Sequence, residues 1–158
     1  MRSKFSAVLK AGLLVGTADI LAAFLYFFLK TGNLNVGIVL HYISGGLFGK
    51  AAFSGGRVMA VTGLLLHYAF AFGFTLFWFW VFPVVSRFSR SRVVLGIVYG
   101  LLVWTIMNLL VVPLSRIGKR PLDTTDALIN IGILIACIGI PLAFRAASFY
   151  KKRGGAST

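Results

Sequence analysis

Charged residues leave four long gaps in this sequence. Residues 11–29 hold one charged side chain, Asp19, and residues 58–86, 93–115 and 127–144 hold none. A helix crossing ~30 Å of hydrocarbon at 1.5 Å per residue needs about 20 apolar residues. Each gap is long enough. Each is also apolar throughout rather than at every second position, which selects helices over the strands of a barrel. The pattern predicts transmembrane helices over residues 7–29, 59–83, 93–114 and 126–147. Pro83 and Pro113 fall near the ends of the second and third, where a missing N–H does least harm. "DTTDALIN", residues 123–130, opens the fourth with capping residues ahead of an apolar run.

A fifth uncharged run, residues 36–49, is too short to span. It leads into "HYISGGLFGKAAFSGG", residues 41–56, which is rich in glycine and broken by Lys50. Apolar runs of about 10–14 residues are re-entrant or interfacial more often than spanning. Non-helical backbone survives at membrane depth only where protein covers it or water lines it. The expected fold is all-α: a four-helix transmembrane bundle with an extra outer-leaflet segment, re-entrant or interfacial, over 36–53. Residues 1–150 form its single domain, and 151–158 a disordered basic tail.

Composition supports lipid as the solvent. The chain is 59% hydrophobic and 12% charged, whereas soluble domains carry about 25% charge. The net charge of +13 raises nucleic acid as a partner. The cations sit at the ends of apolar runs and not along one face, so no nucleic-acid partner is expected and the bilayer accounts for them. With both termini in the cytoplasm, Lys30, Lys50, Arg57, Arg116, Lys119 and Arg120 lie outside, and the other ten of the 16 Lys and Arg lie inside. The positive-inside rule favours that orientation, most clearly through the short "SRFSRSR" turn at 86–92. The basic start resembles a signal peptide, but the long apolar run without a clear cleavage site reads as a retained first helix. The single cysteine, Cys137, has no intrachain partner.

Polar residues inside apolar runs are the candidate chemistry. Asp19 lies near the middle of the first helix, between Lys10 and Lys30. A charge at the bilayer centre costs about 2.5–3.5 kcal/mol on insertion scales, and such residues face the bundle interior and mark ion, proton or substrate sites. The alternative is a protonated Asp hydrogen-bonded to a neighbouring helix. His67, Asn108 and Asn130 share the outer third of the membrane in this topology, with His41 above them. Together they form a polar column from the surface towards Asp19. Each Asn also fits an interhelical hydrogen bond, and His67 a packed, satisfied histidine. His41 and His67 are the only histidines. Their spacing is not diagnostic of haem or metal, so neither metal nor cofactor is expected.

No nucleophile–base pattern or nucleotide fingerprint marks a catalytic residue, and no enzymatic activity is expected. Lys50 and Arg57, in "GGLFGK" and "FSGGR", are possible anion contacts, without the context of a P-loop. Gly12 and Gly16, and Gly96 and Gly100, place glycine pairs one turn apart on helices 1 and 3. Such pairs serve close packing within the bundle or a homo-oligomer seam. The pairs also suggest a faint repeat of two parallel hairpins, aligning His67 with Asn130. The aromatic run "FTLFWFWVF", 74–82, reads as an interfacial anchor belt.

"HYISGGLFGKAAFSGG", then "GLLLHYAFAFGF" and "GIVYGLLVWTIMNLLVVPLSRIG", resemble a group of small bacterial inner-membrane proteins, the YagU-like family. The resemblance covers residues 10–145. It implies a bacterial inner-membrane location and neither an activity nor site residues. The functional expectation rests on the residues themselves: transport or sensing of protons or a small solute, with Asp19 and His67 as the titratable pair. A structural accessory subunit is the alternative, and a haem-binding electron-transfer module a third.

Overall fold

Helix ends follow local chemistry. Ser3 accepts a hydrogen bond from the Ser6 N–H (3.1 Å) and starts α1, Lys4–Thr31. Gly32, at φ 68°, stops it and returns its N–H to the Phe28 carbonyl. Ser91 caps α4, Arg92–Leu114, through the Val94 N–H. Asp123 caps α5, Thr124–Lys152, through the Asp126 N–H at 2.9 Å, as "DTTDALIN" predicts. Between α1 and α4 lie α2, Gly37–Phe48, a 3-10 turn, Gly49–Phe53, and α3, Gly56–Val85. These elements come from a computed structural model that describes residues 3–118 and 123–154. All regular structure among the described residues is helical.

Four of the helices, α1, α3, α4 and α5, are long and apolar enough to cross a membrane. Their outward faces carry exposed Leu21, Leu25, Leu65, Leu76, Trp80 and Leu109. Apolar surface on that scale needs an apolar surrounding. Four such helices could span a membrane, the architecture of a multi-pass membrane protein. The predicted spans are recovered with modest extensions, α3 reaching from 56 to 85 instead of 59 to 83. The tail expected to be disordered from 151 continues the last helix as far as Gly154. Residues 155–158, with Arg2, Lys119 and Arg120 of the charge count, lie outside the described residues.

Two helices widen. Ile106–Val111 of α4 and Ile135–Gly139 of α5 are π-helical, and Pro113 and Pro141 follow them closely. A helical proline lacks an N–H, and its ring clashes with the carbonyl four residues back. In the wider turn the Val112 N–H reaches the Met107 carbonyl and the Ile140 N–H reaches Ile135, five residues back. That shift moves the preceding carbonyls off the proline ring and lets both helices continue.

The core sits between the four long helices. Val15 of α1, Phe79 of α3, Tyr99 and Val103 of α4, and Leu142 of α5 are fully buried. The aromatic run of α3 divides by helical period. Thr75, Trp78, Phe79 and Phe82 face inward, while Phe77 and Trp80 face out. The expected anchor belt is thus half core, because positions i, i+3, i+4 and i+7 share one face. Two tyrosine hydroxyls donate to carbonyls of α3, Tyr99 to that of Phe74 (2.6 Å) and Tyr150 to that of Phe79 (2.5 Å).

Glycine sets the closest approaches. Lipid supplies no hydrophobic force between helices, so backbone proximity and dispersion must hold them. A Cβ on Gly96 or Gly100 would lie 2.7 Å from the Cα of Ile140 or Ile135 in α5. Gly12 and Gly16 of α1 likewise lie under Phe72 and Tyr68 of α3. All four glycines therefore meet the chain's own helices, the α1 pair beneath side chains of α3 and the α4 pair against the backbone of α5.

Candidate functional site

The polar residues expected to form one column are not joined to one another by any hydrogen bond among the described residues, and they occupy separate places. The deepest is built where α1 and α3 pack. Gly16 admits α3 so closely that a Cβ there would sit 3.0 Å from the Tyr68 ring and 3.1 Å from the Ala71 methyl. At this contact the His67 Nε2–H donates to the Gly16 carbonyl at 2.8 Å. One residue on, the hydroxyls of Thr17 and Tyr68 share a 2.7 Å hydrogen bond. A carbonyl oxygen only accepts, so Nε2 carries a proton and Nδ1 is the nitrogen left to exchange one.

Asp19 lies one turn further along α1, half-buried. Its carboxyl is within electrostatic reach of His67, and also of Cys137 in the π turn of α5. Among the described residues, none hydrogen-bonds to it. Asp19 thus lies one turn along α1 from the carbonyl that His67 holds, and among the described residues its carboxyl forms no hydrogen bond to a neighbouring helix.

The two asparagines act within their own helices. Asn108 donates to the Trp104 carbonyl at 3.1 Å, and Asn130 to the Asp126 carbonyl at 2.7 Å. Among the described residues, neither amide nitrogen forms the expected interhelical bond. In an apolar medium the nearest exposed carbonyl, four residues back, satisfies the amide without a partner helix. His41 also lies apart from His67. Its Nε2 donates to the Gly56 carbonyl at 2.8 Å and pins α2 to the start of α3. Gly56 is eleven residues before His67, about 16 Å along a helix at 1.5 Å per residue. With each histidine committed to a carbonyl at a different level, the two rings do not face one ligand.

One functional-looking cluster escaped the sequence reading. Asp126 accepts from the Tyr26 hydroxyl at 2.5 Å and forms an ion pair with Lys30. Tyr26 and Lys30 are four residues apart on α1, one face of a helix, and the chain has only three acidic residues. Those two facts were the available signal. Lys30 and Asp126 are part exposed, at 49% and 34%, so solvent screens the ion pair to a small contribution. Lys30→Gln is expected to lower stability by no more than that. Asp126→Leu also removes the acceptor of the Tyr26 hydroxyl and should cost more. Thermal unfolding of both variants in one detergent checks the order, and equal losses would contradict it.

Lys50 and Arg57, the possible anion contacts, are exposed and form no ion pair among the described residues. No three His, Cys, Asp or Glu side chains among those residues converge as a metal site would require. Compared with protein-family models, curated proteins and solved structures, the chain matches none.

Proposed function

We propose that this chain is an inner-membrane protein that moves or senses protons, or a small solute coupled to them, through Asp19 and His67. The observation that carries the reading is a carboxyl in the middle of an apolar helix with no hydrogen-bond partner among the described residues, one turn from the carbonyl to which His67 donates. Gly16 holds the Nε2 proton, so any proton exchanged with Asp19 enters and leaves His67 at Nδ1. A relay needs such a free acceptor, and a purely structural carboxyl would be expected to have a donor. Proton flux into vesicles holding wild-type or Asp19→Asn protein tests the reading, with flux lost in the variant.

The bundle carries this site with both termini in the cytoplasm, as the distribution of basic residues favours. The YagU-like resemblance supports a bacterial host. The α2 segment enters the outer leaflet as a short re-entrant helix. Its Leu40 carbonyl lies against Gly63 of α3, seven residues and about 10 Å below the start of that helix. Reporter fusions after residue 90 and at the C-terminus should then read cytoplasmic, and one near residue 118 external. An external C-terminus contradicts this topology and turns α2 into a span.

A further inference from the structure

The end of the bundle closed by α2 gathers cations from three parts of the chain. Lys50, Arg57 and Arg116 are all exposed there, and none forms an ion pair among the described residues. Backbone contacts make the gathering. The Arg116 N–H donates to the Gly46 carbonyl at 2.9 Å. A Cβ on Gly49, next to Lys50, would lie 3.6 Å from the Cβ of Arg116. Arg57 follows Gly56, whose carbonyl His41 holds. The chain has three acidic residues to answer these charges. Asp19 lies mid-helix, Asp123 caps α5 and Asp126 engages Lys30 and Tyr26. Asp123 and Asp126 lie at this same end, at the start of α5, but Asp126 answers Lys30 and none of the three exposed cations is paired among the described residues, so the field there stays positive. No side chain caps the N-terminus of α3, whose dipole adds to it.

Apolar side chains flank the cations. Leu47, Phe48 and Phe53, on α2 and its 3-10 turn, are 55%, 41% and 54% exposed. A free anion would use the cations and leave these side chains idle. A lipid uses both. We propose that this end of the bundle binds an anionic phospholipid, with its headgroup phosphate among Lys50, Arg57 and Arg116 and its acyl chains along Leu47, Phe48 and Phe53. The site is independent of Asp19 and rests only on the bundle's insertion in a bilayer. Each cation contributes about a fivefold gain in affinity for an anionic surface.

Native mass spectrometry of the purified protein, titrated with phosphatidylglycerol, phosphatidylcholine or inorganic phosphate, tests it. Phosphatidylglycerol should bind best. Lys50→Gln, Arg57→Gln and Arg116→Gln should each weaken it about fivefold, and the triple variant on the order of 100-fold. Lys50→Arg with Arg116→Lys should keep it. The triple Arg87→Gln/Arg90→Gln/Lys151→Gln, at the opposite end, should bind as wild type. Undiminished binding by the single variants overturns the proposal. So does equal competition by inorganic phosphate, or loss of binding in the opposite-end triple.

Discussion

Gly139→Ala is expected to destabilise the purified protein by about 1–3 kcal/mol, the cost of overpacking a filled interior. The position is buried, and a Cβ there would collide with the Gly96 carbonyl oxygen and lie 3.0 Å from the Gly100 nitrogen. Both obstacles are backbone, so no rotamer change relieves them. α4 and α5 would have to separate, loosening Tyr99, Val103, Leu142 and Ala143 with them. Gly73→Ala in α3 is the matched control. Nothing lies within 4 Å of its Cβ position, so the substitution should stabilise by about 0.5–1 kcal/mol through helix entropy alone. Thermal unfolding in detergent separates the two. Equal effects would mean that α4 and α5 do not meet through glycine.

The spans were legible because their signal is one-dimensional. A gap in charge long enough to cross a bilayer needs no partner to be read, and each of the four holds a helix. The Gly-x-x-x-Gly pairs were legible as close-packing sites, though their occupants were not. Phe72 covers Gly12, whereas bare backbone covers Gly96 and Gly100. The π turns had a sequence sign in Pro113 and Pro141, yet a proline can kink or end a helix as readily as widen it. Residue type misled in two places. "FTLFWFWVF" suggested an interfacial belt, but the period of 3.6 sends Trp78 and Phe79 inward. Asn108 and Asn130 suggested bonds between helices, but each amide donates to the carbonyl four residues back in its own helix. The Tyr26–Asp126 contact joins residues 100 apart, and no local pattern encodes which carboxylate a tyrosine will find.

Asp19→Asn is expected to abolish proton-coupled activity and leave the fold intact. Asparagine has the shape of aspartate and keeps a carbonyl acceptor, and no hydrogen bond to the carboxyl among the described residues is lost with it. What disappears is the site that gains and loses a proton. His67→Gln should act in the same direction, because the glutamine amide can still donate to the Gly16 carbonyl while the Nδ1 base is gone. A structural role predicts a different pattern. Asp19→Asn would then be silent, and Asp19→Leu, which removes a polar strut, would cost about 1 kcal/mol. The deciding measurement is the rate of internal acidification in vesicles reconstituted with wild-type, Asp19→Asn or His67→Gln protein under an imposed pH gradient, with thermal unfolding recorded on the same preparations. Flux in wild type alone, with melting temperatures unchanged across the three, is the predicted result. Wild-type flux in Asp19→Asn, or no protein-dependent flux in any of the three, would contradict the account.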